Sequence, residues 1–251
     1  MPSNMTLMKG DRARDVASSG LDLLTASVDG TERASYEAIR VGAKFDEVVS
    51  NLGSFQRLLK EQTDPIGPEV RVLCVLQARN LFDFKAGLEL ERKLGLSLQL
   101  TPVKYIDHKE VAEHCRVSPE MITRLETGIR AAMDEEPDAR SRAFLDRWLT
   151  VARKVGRPSK PGKICLKPWT TAYIDALGDV YPCCLALDEQ QSLKMGNVLS
   201  QSFREIWHGS TYVAYRKRML IERSKIPVGS TCPVEDAGMV KRISGWFCWI
   251  P

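Results

Sequence analysis

SGLDLLTASVDGTERASYEAIRVGAKFDEVVSNL, residues 19–52, decides the fold class. Its opening part, 21–28, is short and apolar and stops at Asp29-Gly30, so it reads as a buried strand. Further on, Phe45, Val48, Val49 and Leu52 recur at spacings of three and four, and Phe55, Leu58 and Leu59 prolong the stripe. Such spacing puts them on one face of a helix.

The pattern repeats on both sides. Residues 11–18 read as a helix closed off by Gly20. After the Pro65-Ile66-Gly67-Pro68 break, VRVLCVL at 70–76 is a second strand, 81–94 a helix stopped by Gly95, and LSLQLTPV at 96–103 a third strand. Strands alternating with helices predict an α/β fold with a parallel sheet, whose strands are covered on both faces and run as continuous apolar stretches. Chemistry in such sheets sits at the C-terminal strand ends. Here those ends carry Ser27, Asp29 and Gly30, then 77–80, then 104–107. Taken singly, Asp29-Gly30 is an ordinary turn pair and Arg40 an ordinary helix-end cation. Together a hydroxyl, a fixed guanidinium and strand-end backbone suit a ligand bearing both a carboxylate and an amine.

Composition narrows the class. With 43% hydrophobic and 27% charged residues among 251, the chain has the makeup of a globular protein. A net charge of +4 is too mild to argue for nucleic acid, and the basic runs at Arg216-Lys217-Arg218 and 153–163 read as solvated surface. No apolar run approaches the ~20 residues of a membrane helix, and no apolar region follows the N-terminus. The expectation is a cytoplasmic protein with neither nucleic-acid nor membrane partners, whose cysteines serve metal or packing rather than disulfides.

The remaining chain divides again. Ser118-Pro119-Glu120 is a helix start, and Ile122, Leu125, Ile129 and Met133 form one apolar stripe, Phe144, Leu145, Trp148, Leu149 and Ala152 another. His114 and Cys115 read as structural or surface residues. The composition of 156–163, GRPSKPGK, is that of a linker. Beyond it lie five of the seven cysteines: Cys165, Cys183, Cys184, Cys232 and Cys248. Residues 172–175 and 180–183 read as a hairpin turning at Gly178, which returns Cys183 toward Cys165. Soft thiolates in this grouping select iron–sulfur or zinc. Cys183 and Cys184 are neighbours on the expected return strand and would point to opposite faces, so one of them would bind.

Two resemblances follow from these residues. Ser27, Asp29, Gly30, Tyr36, Glu37, Ile39, Arg40, Gly42, Asn51 and Leu52 resemble, in order, the middle of the radical-SAM barrel, and residues 3–8 resemble its preceding strand end. Cys165, Gly178, Val180, Pro182, Cys183, Gly196-Asn197, Ile206-Trp207, Arg216 and Cys232 resemble the SPASM or twitch domain that follows many such barrels. The resemblance implies a partial (β/α) barrel of parallel strands missing its first strands at 1–108, a helical linker region at 109–162, and a small α+β cysteine-rich domain at 163–251. It implies that Ser27 and Arg40, with Asp29 in the same motif, face the carboxylate or amino end of S-adenosylmethionine, and that Asn80 lies near its ribose. It also implies one auxiliary 4Fe–4S cluster on Cys165, Cys183, Cys232 and a fourth ligand, with Cys248 chosen and Cys184 or Glu235 as alternatives.

The family's catalytic cluster sits on Cys-x3-Cys-x2-Cys, a spacing found nowhere in these 251 residues. The expectation is therefore an N-terminally truncated form, inactive alone, of an enzyme that cleaves S-adenosylmethionine reductively and modifies a peptide, protein or small molecule by radical chemistry. Its electron donor would be a flavodoxin or ferredoxin. The alternatives are an electron-transfer or substrate-recruiting iron–sulfur subunit, and a structural zinc domain.

Overall fold

The computed structural model describes residues 1–61, 67–103, 117–155, 165–183, 186, 193–222 and 225–226. It divides into two compact units, Met1–Arg157 and Pro158–Pro251.

The first unit is built on a four-stranded parallel sheet: β1 (Pro2–Ser3), β2 (Leu23–Ser27), β3 (Glu69–Leu76) and β4 (Leu98–Pro102), lying side by side in chain order. The register pairs Ser3 with Ala26, Ser27 with Leu73 and Leu76 with Pro102, so all four C-terminal ends reach the same edge. Helix α1 (Gly10–Ala17) joins β1 to β2. Helices α2 (Arg33–Ile39) and α3 (Phe45–Glu61) join β2 to β3, and α4 (Phe84–Leu94) joins β3 to β4. Burial explains the strands: Leu24, Ala26, Val72, Cys74 and Leu76 are fully buried. In α3 the expected stripe is the inner face, with Val48, Leu52 and Phe55 buried, while Asp46 and Glu47 in the first turn and Lys60 in the last complement the helix dipole. Gly95 closes α4 in the left-handed conformation at φ 64°, its N–H donating to the Glu91 carbonyl at 2.9 Å.

Helix α4 starts three residues later than its apolar pattern indicates. Residues 81–83 form a turn that follows a 3-10 turn at Ala78–Asn80, because Asn80 bonds the backbone at the end of β3 and Asp83 turns its carboxylate toward the β2 side. Two further helices are described in this unit, α5 (Pro119–Glu135), capped by Ser118 through the Met121 N–H at 3.2 Å, and α6 (Ala139–Ala152), capped by Asp138. Trp148 of α6 is fully buried and donates its indole N–H to the Leu81 carbonyl at 2.9 Å. Gly87 lets α4 approach it: a Cβ there would fall 2.8 Å from the Trp148 ring.

The second unit has a three-stranded antiparallel sheet of β5 (Tyr173–Ile174), β6 (Asp179–Tyr181) and β7 (Gly196–Asn197). The expected hairpin is present: Tyr173 pairs with Tyr181 and Ile174 with Val180 around Gly178 at φ 81°. Helix α7 (Lys167–Thr170) precedes it, and α8 (Phe203–His208) and α9 (Ser210–Ile221) follow. Their shared core comprises Cys165, Val180, Tyr181, Ile206, Tyr212 and Met219, with Cys183 and Trp207 against it.

Candidate functional sites

At the sheet edge the sequence folds its polar residues into a connected set. Asp29, directly after β2, is 6% exposed. Its Oδ1 accepts the Val75 N–H at 2.9 Å and its Oδ2 accepts Arg40 Nε at 2.8 Å, with Arg40 Nη2 on the same oxygen. The pair thus ties the end of β2 to β3 and fixes the guanidinium of Arg40, the residue at the C-terminal end of α2. Gly30 is required here, since a Cβ would lie 2.5 Å from the Tyr36 nitrogen. Tyr36 is fully buried and its hydroxyl has no hydrogen-bond partner. Burial raises its pKa, with Arg40 pulling the other way. Ser27 is half-buried at the end of β2.

Asn80 is fully buried, and both ends of its amide are spent on backbone: Oδ1 accepts the Gln77 N–H at 2.8 Å and Nδ2 donates to the Val75 carbonyl at 2.9 Å. These bonds satisfy backbone polar groups at a strand end that is buried at this depth. Residues 104–107, the next strand end, lie outside the described residues.

A second set at this edge escaped sequence reasoning. Asp83 is buried, its Oδ2 accepting the Ser35 hydroxyl and the Thr31 N–H at 3.3 Å. Desolvation raises its pKa, outweighing the Ser35 and Thr31 bonds that favour the ionised form. Nothing local in the sequence links Asp83 to Thr31, 52 positions away. Asn51, noted only as part of a motif, holds the turn after β1, where Met5 takes φ 61°: its Nδ2 donates to the Met5 carbonyl at 2.9 Å.

In the second unit, Cys165 is buried and Cys183 half-buried in one small core. Strand β6 ends at Tyr181, so Cys183 sits in a bend, and strand alternation does not decide between it and its neighbour. Cys184, Cys232, Glu235 and Cys248, with His114 and Cys115 of the linker region, lie outside the described residues. Among the described residues no three ligating side chains converge. A cation packs on two aromatic members of this core. Arg216 packs over Trp207 and Tyr212, its guanidinium carbon 4.2 Å from each ring centroid. The Tyr212 phenol is pushed up to about 12 by burial, with Arg216 lowering and Cys183 raising it. Two thiols in a core whose aromatic members carry a guanidinium with one buried, unpartnered nitrogen fit an anionic thiolate-held group. By contrast Cys74, central in β3, is a core thiol whose pKa burial raises strongly.

Two comparisons with known proteins bear on this chain. Residues 165–233 match the SPASM family, an iron–sulfur cluster-binding domain. That span contains Cys165, Cys183, Cys184 and Cys232, and stops short of Cys248. The chain is also 32% identical over 69 residues to the S-adenosyl-L-methionine-dependent 2-deoxy-scyllo-inosamine dehydrogenase of Niallia circulans, across 28% of this chain and 27% of that protein. The chain therefore spans about a quarter of that relative's length in the matched region. The matches bear out the resemblance to radical-SAM proteins with a C-terminal SPASM domain. No helix among the described residues is long and apolar enough to cross a membrane.

Proposed function

We propose that this radical-SAM/SPASM-type chain holds one auxiliary 4Fe–4S cluster on Cys165, Cys183, Cys232 and Cys248, with Cys184 or Glu235 as the substitute fourth ligand. The observation that carries the reading is the pair of thiols gathered in one core inside the span that matches the SPASM family. When bound, such a cluster supplies one-electron transfer to or from a substrate.

At the sheet edge, Ser27 and Arg40 would take the carboxylate and amine of S-adenosylmethionine. Support comes from the guanidinium itself: Asp29 fixes it through Nε and Nη2 while its side chain stays 35% exposed, so Nη1 is available to a carboxylate. Asn80 and Asp29 act behind it by holding the strand ends. The sequential order β1-β2-β3-β4 is that of a singly wound barrel segment and favours a partial barrel. The substrate is a peptide, protein or small molecule, and a flavodoxin or ferredoxin would donate the electron.

A second reading has its own support. These residues contain no Cys-x3-Cys-x2-Cys, so the chain alone would not cleave S-adenosylmethionine and would serve as an electron-transfer or substrate-recruiting subunit. One preparation tests both. The full chain is purified anaerobically, reconstituted with iron and sulfide, and assayed for metal and for 5′-deoxyadenosine formed under reductant. A brown protein with about four irons, lost in Cys165→Ala and Cys183→Ala and forming no 5′-deoxyadenosine, is expected. A colourless protein carrying stoichiometric zinc would replace the cluster with a structural metal, and turnover by the chain alone would end the claim of inactivity.

A further inference from the structure

Arg216 is pinned on two edges. Its Nε donates to the Pro168 carbonyl at 2.9 Å and its Nη1 to the Trp207 carbonyl at 2.7 Å. The two aromatic rings it packs over are themselves 5.0 Å apart, so the plane of the guanidinium has little freedom. What remains is Nη2, buried and without a hydrogen-bond partner. An unpartnered donor on a desolvated cation is costly to bury, and a fold keeps one when an acceptor completes it.

The acceptor can be located by what Arg216 joins. Pro168 lies three residues after Cys165, which is buried in the same core. Tyr212, one turn before Arg216 on α9, lies within electrostatic reach of Cys183. Within the described residues of this core the two thiols are Cys165 and Cys183, groups that bear negative charge when they hold a metal.

We propose that Arg216 positions and tunes the metal centre, its Nη2 donating a hydrogen bond to a sulfur of the cluster held by Cys165 and Cys183. The proposal rests on the cluster reading above. A cationic donor aimed at cluster sulfur favours the reduced, more negative state and so raises the reduction potential. The role is one of positioning: Arg216 acts through the cluster and touches no substrate.

The test uses the reconstituted full chain labelled with guanidino-15N arginine. In the reduced protein, pulsed electron paramagnetic resonance is expected to show a 15N coupling at the cluster, absent in Arg216→Lys. Redox titration should place the Arg216→Lys and Arg216→Met midpoints below wild type, with iron content kept, and leave Arg218→Met, an exposed charge on the same helix, near wild type. Iron bound normally with no 15N coupling in the wild-type protein overturns the role of Arg216 and spares the cluster. Failure of the wild-type chain to bind iron overturns both. The labelled wild-type measurement decides the matter even if the variants do not fold.

Discussion

Asp29 holds two elements with one carboxylate: Oδ2 accepts Arg40 Nε at 2.8 Å while Oδ1 accepts the Val75 N–H at 2.9 Å. The first bond fixes the end of α2, the second the end of β3. A pair-forming carboxylate in a turn position, rather than a solvated Asp-Gly corner, is what makes the sheet edge rigid enough to present a guanidinium.

Asp29→Ala should therefore act in two places. It leaves Arg40 without its counter-charge and the Val75 N–H without its acceptor. Losing one partner of a buried ion pair costs ~3–5 kcal/mol, and the partial exposure of Arg40 lowers the expected loss to about 2 kcal/mol. Urea denaturation of the variants measures it. Asp29→Asn should fall between wild type and alanine, because the amide oxygen can still accept from Val75. Hydrogen exchange should find the Val75 amide faster in Asp29→Ala than in Asp29→Asn.

Asp83 gives a pH-dependent expectation. Its folded pKa is raised above the ordinary 3.8 by desolvation. The folded state therefore holds this proton more tightly than the unfolded chain. The associated stability is fully present below the unfolded value and is lost as pH rises through the folded one. Asp83→Asn lacks that slope. The stability of wild type relative to Asp83→Asn should fall as pH is raised from about 3.8 toward neutrality and then level off. Urea midpoints of the two proteins, taken at matched pH, read that difference directly; a difference constant with pH would show that Asp83 keeps an ordinary pKa.

Legibility followed the range of the interactions. Strand β2, the α3 stripe and the Gly95 stop were readable because periodicity and end signals are local, and β2 and β4 come out one to two residues shorter at each end than their apolar runs. The Gly178 hairpin was readable for the same reason. The start of α4 was not, because Asn80 and Asp83 are drawn away by backbone at β3 and by Thr31 across the sheet edge. Arg40 looked like a solvent-facing helix end, since its partner is set by the crossover that returns α2 beside β2. The ordering of Arg216 over Trp207 and Tyr212 depends on α8 and α9 packing together, which the spacing of those residues alone does not specify.

Glycine substitutions separate space from dihedral freedom. At Gly30 an added Cβ would meet Tyr36 backbone at 2.5 and 2.6 Å, contacts that moving a side chain does not relieve. Gly30→Ala should therefore shift the turn and cost at least ~1–3 kcal/mol, the range for overpacking. At Gly42 the backbone is left-handed, φ 87°, with nothing within 4 Å of a Cβ. Gly42→Ala should cost only about 1 kcal/mol, from the dihedral alone. Thermal midpoints of the two variants should differ in that order, and equal losses would refute the steric reading of Gly30.

The cysteines should separate by environment rather than by count. Cys74 is fully buried in β3, its sulfur 4.0 Å from Asn80 Nδ2, and burial holds it in the thiol form. Alkylating reagents attack the thiolate, so Cys74 should stay unmodified in the folded apo-protein and react only after denaturation. Of the two described thiols of the second unit, Cys183, half-buried in a bend, should react faster than the buried Cys165. Cys74→Ala should leave iron uptake unchanged while costing ~1 kcal/mol of stability through the lost packing. Mass spectrometry of timed alkylation, before and after iron–sulfur reconstitution, reads both halves of the argument. Bound metal should protect Cys165 and Cys183 and make no difference to Cys74. Protection of Cys74 that appears only on metal loading would tie the first unit's core to the metal centre and remove the packing role assigned to it.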